Sequence, residues 1–157
     1  MDDATILRNL SEAGLELPPS PQALAAYIPV VTSGTLAVVS GQIPMRNGEV
    51  LAAGKLGQGV GVDEAAEGAQ QAALQGLAAL RSTLGSFDRV VRIVQLTVYI
   101  AATHDFVEHP RVANGASDLL GKILGENGRH ARAAVGVISL PLGASVEVVM
   151  IAEITPA

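Results

Sequence analysis

Hydrophobic residues recur at intervals of three and four through the middle of the chain. Between positions 63 and 85 they form a single stripe, as expected for a helix with one apolar face resting on a sheet. The stripe consists of Ala66, Ala69, Ala73, Leu77, Leu80 and Leu84. Asp63 is placed to cap the start of this helix and Gly85 to end it. Similar patterns predict a short helix over 4–14 and another helix over 105–125.

Elsewhere apolar and polar residues alternate, which is the period of a β-strand. The stretch 89–101 is predicted to be a long strand, and its even positions share one side. These even positions include Val90, Val94, Leu96, Val98 and Ile100. Two β-branched runs at 30–32 and 36–40, separated by Ser33-Gly34, predict a hairpin. The runs 132–140 and 146–154, joined by 141–145, predict a second hairpin.

The predicted order of elements is β-β-(β)-α-β-α-β-β, with a short edge strand and a long glycine-rich loop within 45–61. Because strands outnumber crossover connections, we expect an α+β fold of two layers, a mixed β-sheet with two helices packed on one face. The segment Leu17-Pro18-Pro19-Ser20-Pro21 cannot continue a helix. Residues 1–21 are therefore predicted to be an N-terminal arm with a short helix, and residues 22–157 a single domain.

The amino-acid composition bears on whether the protein forms oligomers. The 157 residues are 49% hydrophobic and 16% charged, which excludes a disordered chain and fits one compact domain. Aromatic residues make up only 3%, and few charges are available to cover the surface. Part of the apolar surface is better explained if it meets another subunit, so we expect a homo-oligomer. A monomer with a tight core of alanine, valine and leucine is the alternative.

Charge and cysteine content exclude several functions. The chain has no cysteine, which excludes disulfides, thiolate zinc sites and a cysteine nucleophile. A net charge of −5 without any basic run makes nucleic acid an unfavourable partner. The histidines at 104, 109 and 130 match no metal-site spacing. The acidic start and the lack of a long apolar stretch predict a cytoplasmic protein that does not bind a membrane.

Two charges stand inside otherwise apolar runs: Arg132 opens one strand, and Glu147 lies between Val146 and Val148. One interpretation is structural, namely an ion pair or solvent-facing charges at strand ends. The other is that Arg132 binds a substrate carboxylate while Glu147 handles a water or a proton. In the predicted second hairpin the two charges would lie about 20 Å apart within one chain. A shared pocket would then need Arg132 of one chain and Glu147 of another.

Several short motifs resemble the Rid family, the YjgF-like reactive intermediate deaminases. They are Tyr27, Ser40-Gly41-Gln42-Ile43-Pro44, His130-Ala131-Arg132-Ala133-Ala134-Val135, Leu140-Pro141 and Val146-Glu147-Val148. Their order and spacing extend over residues 18–155. The resemblance implies a chorismate-mutase-like α+β fold, a homotrimer, and ligand pockets between subunits. It also implies hydrolysis of 2-imino acids, formed from enamines such as 2-aminoacrylate, to 2-oxo acids and ammonia, with no metal or organic cofactor.

The resemblance also implies roles for individual residues. Arg132 matches the arginine that binds the substrate carboxylate, and Glu147 matches the glutamate associated with the attacking water. Ser40 with the Gly41 backbone matches the loop that lies beside this arginine in the family. Tyr27 matches the tyrosine that lines the pocket, and Asn114 is a weaker match to an asparagine on the second helix, expected to contact the substrate.

The sequence departs from the usual family pattern beside the arginine and on the second helix. The usual Pro-Ala-Arg is His130-Ala131-Arg132, followed by Ala133 and Ala134 in place of a polar residue and a frequent cysteine. The aromatic residue that often follows the helix asparagine by three is Ser117. These departures indicate a divergent branch, for which a non-catalytic trimer that binds small carboxylates or other metabolites is the alternative function. An endoribonuclease or translation inhibitor, as described for some members, agrees less well with the negative charge.

Overall fold

The computed structural model describes residues 1–20 and 27–156. Its helices are α1 (Asp3–Glu12), α2 (Val62–Leu84) and α3 (His109–Leu124). Its strands are β1 (Val30–Ser33), β2 (Leu36–Gln42), β3 (Met45–Arg46), β4 (Glu49–Val50), β5 (Lys55–Leu56), β6 (Gly59–Val60), β7 (Val90–Ala101), β8 (Ala131–Val137) and β9 (Val146–Ile154). The predicted boundary between arm and domain, at residues 21 and 22, lies outside the described residues.

Five strands form one mixed sheet in the order β1-β2-β9-β7-β8. All neighbours run antiparallel except β7 and β8, which are parallel. The α+β fold and the β1–β2 hairpin are thus confirmed. The second predicted hairpin is wrong, because β7 lies between β8 and β9. The chain reaches β8 from β7 through α3, a connection long enough to return a strand in parallel. This path leaves β8 at the edge of the sheet.

The helices cover one face of the sheet, here called the inner face, and the opposite face is called the open face. Alternate residues of β9 are buried on the inner face against α2. They are Val146, Val148, Met150, Ala152 and Ile154. The intervening residues of β9 lie on the open face and are partly exposed. No helix of residues 1–20 or 27–156 covers that face, so the layer order is helices, sheet, and open surface.

The long helix α2 is more deeply buried than one apolar stripe predicts. Every residue from 71 to 80 is buried, because the helix packs against the sheet and α3, and the N-terminal segment lies beside it. The predicted cap is also wrong: Gly61 occupies the N-cap position, and Asp63 lies in the first turn. Although α2 has 23 residues, no helix that the structure describes combines the length and apolar character needed to cross a membrane.

Two other features differ from the sequence prediction for local reasons, namely which residues of β7 are buried and where α3 begins. The strand β7 carries two register shifts, before Arg92 and before Gln95, so Ile93 is buried and Val94 is 38% exposed. Val94 was expected on the buried side, but each β-bulge adds one residue and changes the alternation. The helix α3 begins at His109 instead of 105, because Pro110 is tolerated only in the first turn of a helix.

Two close contacts fix the helices. Where α2 and α3 cross, a Cβ atom on Gly115 would lie 1.9 Å from the carbonyl oxygen of Ala66, so only glycine allows this approach. At the other end of the molecule, the Asp3 carboxylate accepts hydrogen bonds from the Arg81 guanidinium at 2.9 Å and from the Phe87 amide at 2.8 Å. These bonds tie α1 to the end of α2.

Candidate functional site

Arg132 lies at the start of the edge strand β8 and is exposed. Its Nη1 atom donates hydrogen bonds to Asn114 Oδ1 at 2.8 Å and to Ser117 Oγ at 3.1 Å, both on α3. No carboxylate within 1–20 or 27–156 lies within 4.0 Å of its guanidinium. The structural ion pair that the sequence left open is therefore not formed between described residues. Arg132 is held by two neutral acceptors instead.

This anchoring leaves one edge of the guanidinium available. Nη1 carries two hydrogens, and Asn114 and Ser117 use both. The Nε and Nη2 hydrogens have no acceptor among the described residues. Those two donors point in parallel from one edge of a planar, permanently charged group, which matches the two oxygens of a carboxylate.

His130 lies beside the same serine. Its Nε2 atom is 3.0 Å from Ser117 Oγ, and its Nδ1 atom is 2.6 Å from the carbonyl oxygen of Gly128. An open cavity of about 290 Å³ adjoins these groups and is lined by both side chains and by Arg132. We call Arg132, Asn114, Ser117 and His130 the arginine cluster. In the sequence, Ser117 and His130 stand out as departures from a family motif, and neither was assigned a role.

Glu147 lies on the open face, opposite Tyr99 of β7 in the strand register. The side chain is half-buried, and burial raises the pKa of its carboxyl group above the ordinary value. Neither of its oxygens accepts a hydrogen bond from a residue of the described ranges. A Cβ atom on Gly41 would lie 1.8 Å from Oε1, so the carboxylate rests directly on the Gly41 backbone.

Ser40 and Gly41 occupy a bulge in β2 where its pairing with β9 is interrupted. Gln42 is buried, and its Nε2 atom donates to the Ser40 carbonyl at 3.0 Å and to Ser40 Oγ at 3.2 Å. The Ser40 hydroxyl hydrogen has no acceptor in the part of the chain that the structure describes. We call Ser40, Gly41, Gln42 and Glu147 the glutamate cluster. Gln42 is part of a sequence motif but was assigned no role. Its burial at the end of β2 and its hydrogen bonds to Ser40 identify it as a member of this cluster.

Tyr27 lies in a bend before β1 and is 47% exposed. Its hydroxyl makes no hydrogen bond with a described residue. The structure therefore brings Asn114 to Arg132, and Ser40 and Gly41 to Glu147, while Tyr27 is not fixed against either cluster.

The two clusters lie apart in one chain. Arg132 pairs with Leu96 of β7, and Leu96 points to the inner face, whereas Glu147 pairs with Tyr99 and points to the open face. Two strand spacings across the sheet and three residues along β7 place the two Cα atoms about 14 Å apart. The separation of about 20 Å expected from a hairpin is therefore wrong. One chain nevertheless does not place both groups on one small ligand, because they lie on opposite faces.

Within 1–20 and 27–156, no group of three or more histidine, aspartate or glutamate residues is arranged to hold a metal ion. The two clusters bring together a guanidinium, a carboxylate, an imidazole, side-chain amides and two hydroxyl groups.

Comparison with known proteins identifies the family. Residues 8–154 match the family described as "YjgF/chorismate_mutase-like, putative endoribonuclease". Protein TCP17 of Trypanosoma cruzi is 41% identical over 150 residues, covering 95% of this chain and 94% of that protein.

Two solved structures are similar over nearly their whole length. The protein Atu1372 of Agrobacterium tumefaciens, described as having unknown function, is 42% identical with a TM-score of 0.92, and the match covers 98% of this chain and 94% of that one. A Shewanella oneidensis protein described as a putative endoribonuclease is 35% identical with a TM-score of 0.91, covering 95% and 99%. The chain therefore belongs to the YjgF/chorismate mutase-like family, the Rid family that its sequence motifs resemble.

Proposed function

We propose that this protein hydrolyses reactive 2-imino acids and their enamine tautomers to 2-oxo acids and ammonia, in clefts between the subunits of a homotrimer. The observation that carries the proposal is the guanidinium of Arg132, whose Nη1 atom is anchored on α3 while its Nε–Nη2 edge has no acceptor among the described residues. A 2-imino acid presents a carboxylate next to the carbon that reacts. Binding that carboxylate at two points fixes the position of the imine carbon.

Besides binding the carboxylate, the hydrolysis requires a group that transfers protons, and Glu147 is suited to that role. Burial raises the pKa of its carboxyl group, which brings it closer to the pH at which a carboxylate can both accept and return a proton. Its oxygens have no described hydrogen-bond donor, so they are free to bind a water. The Ser40 hydroxyl lies in the same cluster and has a hydrogen to donate to the substrate.

The separation of the clusters supports assembly from more than one chain. The open face carries exposed apolar side chains, including Val31, Leu36, Val38 and Val135. Such a surface is stabilised when another subunit covers it. In the proposed trimer Arg132 of one chain approaches Glu147 of a neighbouring chain, and the residues of both clusters contact one ligand.

The proposed reaction proceeds in two steps. The oxygen of a bound water attacks the imine carbon while Glu147 accepts a proton from that water, and the C=N π electrons pass to nitrogen, which takes that proton from Glu147. The resulting carbinolamine then loses ammonia: Glu147 accepts the hydroxyl proton and transfers it to the nitrogen, the C–N bond breaks with its electrons leaving on nitrogen, and the C=O bond forms. One water is consumed for each 2-oxo acid and ammonia produced. An imine carbon is already electrophilic, so positioning and proton transfer suffice.

The deciding experiment measures ammonia release from freshly generated 2-imino acids, including 2-aminoacrylate, with wild type and Arg132→Ala. Arg8→Ala is the matched control, because Arg8 is an exposed arginine whose only ionic partner in the described ranges is Glu12 on α1. We expect ammonia release faster than the spontaneous rate with wild type and Arg8→Ala. With Arg132→Ala we expect only the spontaneous rate. Spontaneous rates with wild type across several side-chain sizes would contradict the proposal. Binding of 2-oxo acids without turnover would then favour a non-catalytic trimer that binds carboxylates.

Subunit complementation tests the shared cleft. Arg132→Ala and Glu147→Ala chains are each expected to be inactive as homotrimers. If each site combines Arg132 of one chain with Glu147 of another, equal co-expression regenerates about a quarter of the intact sites. Activity near a quarter of wild type supports the shared site, and none in the mixed oligomer contradicts it. Light scattering on the same samples measures the oligomeric state.

A further inference from the structure

Four polar groups form one chain of hydrogen bonds behind Arg132. The carbonyl oxygen of Gly128 faces His130 Nδ1 at 2.6 Å, and His130 Nε2 faces Ser117 Oγ at 3.0 Å. Ser117 Oγ in turn accepts from Arg132 Nη1 at 3.1 Å. The chain runs from the turn after α3, across the start of β8, to α3 itself.

When the imidazole of His130 is neutral, the chemistry of these groups fixes the direction of each bond. A carbonyl oxygen only accepts, so His130 Nδ1 carries its hydrogen towards Gly128. In the neutral imidazole Nε2 is then an acceptor, and the Ser117 hydroxyl donates to it. With its hydrogen so directed, Ser117 Oγ presents lone pairs to Arg132. Each donor and acceptor in the chain has one role.

We propose that Ser117 and His130 are positioning residues that orient the Arg132 guanidinium for a substrate carboxylate. This inference rests on the proposed function, because it concerns the same carboxylate site. Asn114 alone would hold Nη1 at one point and leave the guanidinium plane free to turn. The second acceptor, Ser117, defines that plane and keeps the Nε–Nη2 edge directed outward. His130 acts through Ser117. Its Nε2 atom accepts the hydrogen bond from the Ser117 hydroxyl, so the hydroxyl does not rotate towards another acceptor and its lone pairs stay directed at Arg132.

The effect should be on binding of the carboxylate and not on the chemical step. Neither side chain contacts the glutamate cluster of its own chain, where the proton transfer is proposed. Loss of a positioning hydrogen bond to a charged group is expected to weaken carboxylate binding by about tenfold. The KM for 2-imino acids and the Kd for a stable 2-oxo acid should rise together, while kcat stays within about threefold.

The test compares Ser117→Ala, His130→Ala and the double variant, with Ser117→Thr as the conservative replacement that keeps a hydroxyl. Ser82→Ala is the matched control, because Ser82 is an exposed serine near the end of α2 that hydrogen-bonds no other described side chain. Calorimetry with pyruvate and 2-oxobutanoate gives Kd, and ammonia release gives KM and kcat. Alanine is a good helix former, so Ser117→Ala is expected to stay folded. If His130→Ala does not fold, His130→Gln replaces it.

We expect Ser117→Ala and His130→Ala each to raise Kd about tenfold, Ser117→Thr and Ser82→Ala to leave it near wild type, and the double variant to match Ser117→Ala. Wild-type affinity in Ser117→Ala, or a loss in kcat at constant KM, would overturn the inference. Multiplied effects in the double variant would show that His130 acts independently of Ser117. If wild type binds 2-oxo acids without turnover, the catalytic proposal fails while the Kd series still tests the positioning. If wild type binds no carboxylate, both fail.

Discussion

The crossing of α2 and α3 allows a direct test of the packing with two glycines of one helix. A Cβ atom at Gly115 would lie 1.9 Å from the Ala66 carbonyl oxygen and 2.6 Å from its carbonyl carbon. A Cβ atom at Gly121, six residues later on α3, would meet no heavy atom within 4 Å. The same substitution, glycine to alanine, should therefore have opposite effects on stability at the two positions.

The expected magnitudes follow from crowding and helix propensity. Cβ atoms rarely approach another heavy atom closer than 3.0 Å, so Gly115→Ala requires a movement of at least about 1.1 Å (3.0 − 1.9) against a backbone that cannot rotate away. Such overpacking costs about 3 kcal/mol. Replacing a helical glycine with alanine returns about 1 kcal/mol, so the net loss is about 2 kcal/mol. Gly121→Ala lacks the clash and should gain about 1 kcal/mol.

Thermal unfolding followed by circular dichroism measures both effects. For a chain of this length 1 kcal/mol corresponds to about 2–4 °C, so Gly115→Ala should lower Tm by about 4–8 °C, and Gly121→Ala should raise it by about 2–4 °C. All samples are compared at one protein concentration, because the Tm of a protein that forms oligomers depends on concentration. A Tm of Gly115→Ala equal to or above wild type would refute the close crossing of the helices.

Three further outcomes are expected. Gly41→Ala should displace the Glu147 carboxylate and reduce kcat for ammonia release by about a hundredfold. An unchanged kcat would contradict the close contact between the carboxylate and the Gly41 backbone. Glu147→Gln should raise Tm at pH 7, because the variant removes a half-buried charge. Burial raises the pKa of Glu147, so the wild-type native state loses stability as the pH rises from the ordinary carboxyl pKa to the raised value. That advantage should vanish below the ordinary pKa, and Glu153→Gln, on the same face of β9, should not reproduce it. Asp3→Ala should lower Tm at pH 7 by a few degrees, because the hydrogen bond from Arg81 lowers the pKa of Asp3 and so stabilises the native state. This loss of Tm should disappear as the pH falls below the lowered pKa. A difference in Tm that stays unchanged at low pH would contradict the assignment.

The sequence predicted the features that depend on neighbouring residues. The two β-branched runs on either side of Ser33-Gly34 identified the β1–β2 hairpin, and the recurrence of apolar residues at intervals of three and four identified α2. Periodicity shows which side of a strand is apolar but not which strand lies beside it. For that reason β8 and β9 were paired incorrectly, although both strands were recognised.

The arginine cluster shows the same limit at the site. Arg132 and Asn114 were named from a motif, and they are hydrogen-bonded in the structure. Ser117 and His130 were identified as residues that differ from those usual in the family, and neither was connected with Arg132 through a hydrogen bond. The structure places these two departures in contact at 3.0 Å. Thirteen positions separate them along the chain, and a helix end and a turn intervene, so no local pattern indicates their contact.

The position of Arg132 on an edge strand has a consequence for solubility. An unpaired strand edge is a template for pairing with other chains, and charged side chains are one means by which proteins prevent this. The strand β8 reads Ala-Arg-Ala-Ala-Val-Gly-Val, and Arg132 is its only charge. Removing that charge leaves seven uncharged residues on an exposed edge, a composition that favours aggregation. Arg132→Lys keeps the charge while losing the paired donors, and it therefore separates a loss of the proposed carboxylate binding from a loss of soluble protein.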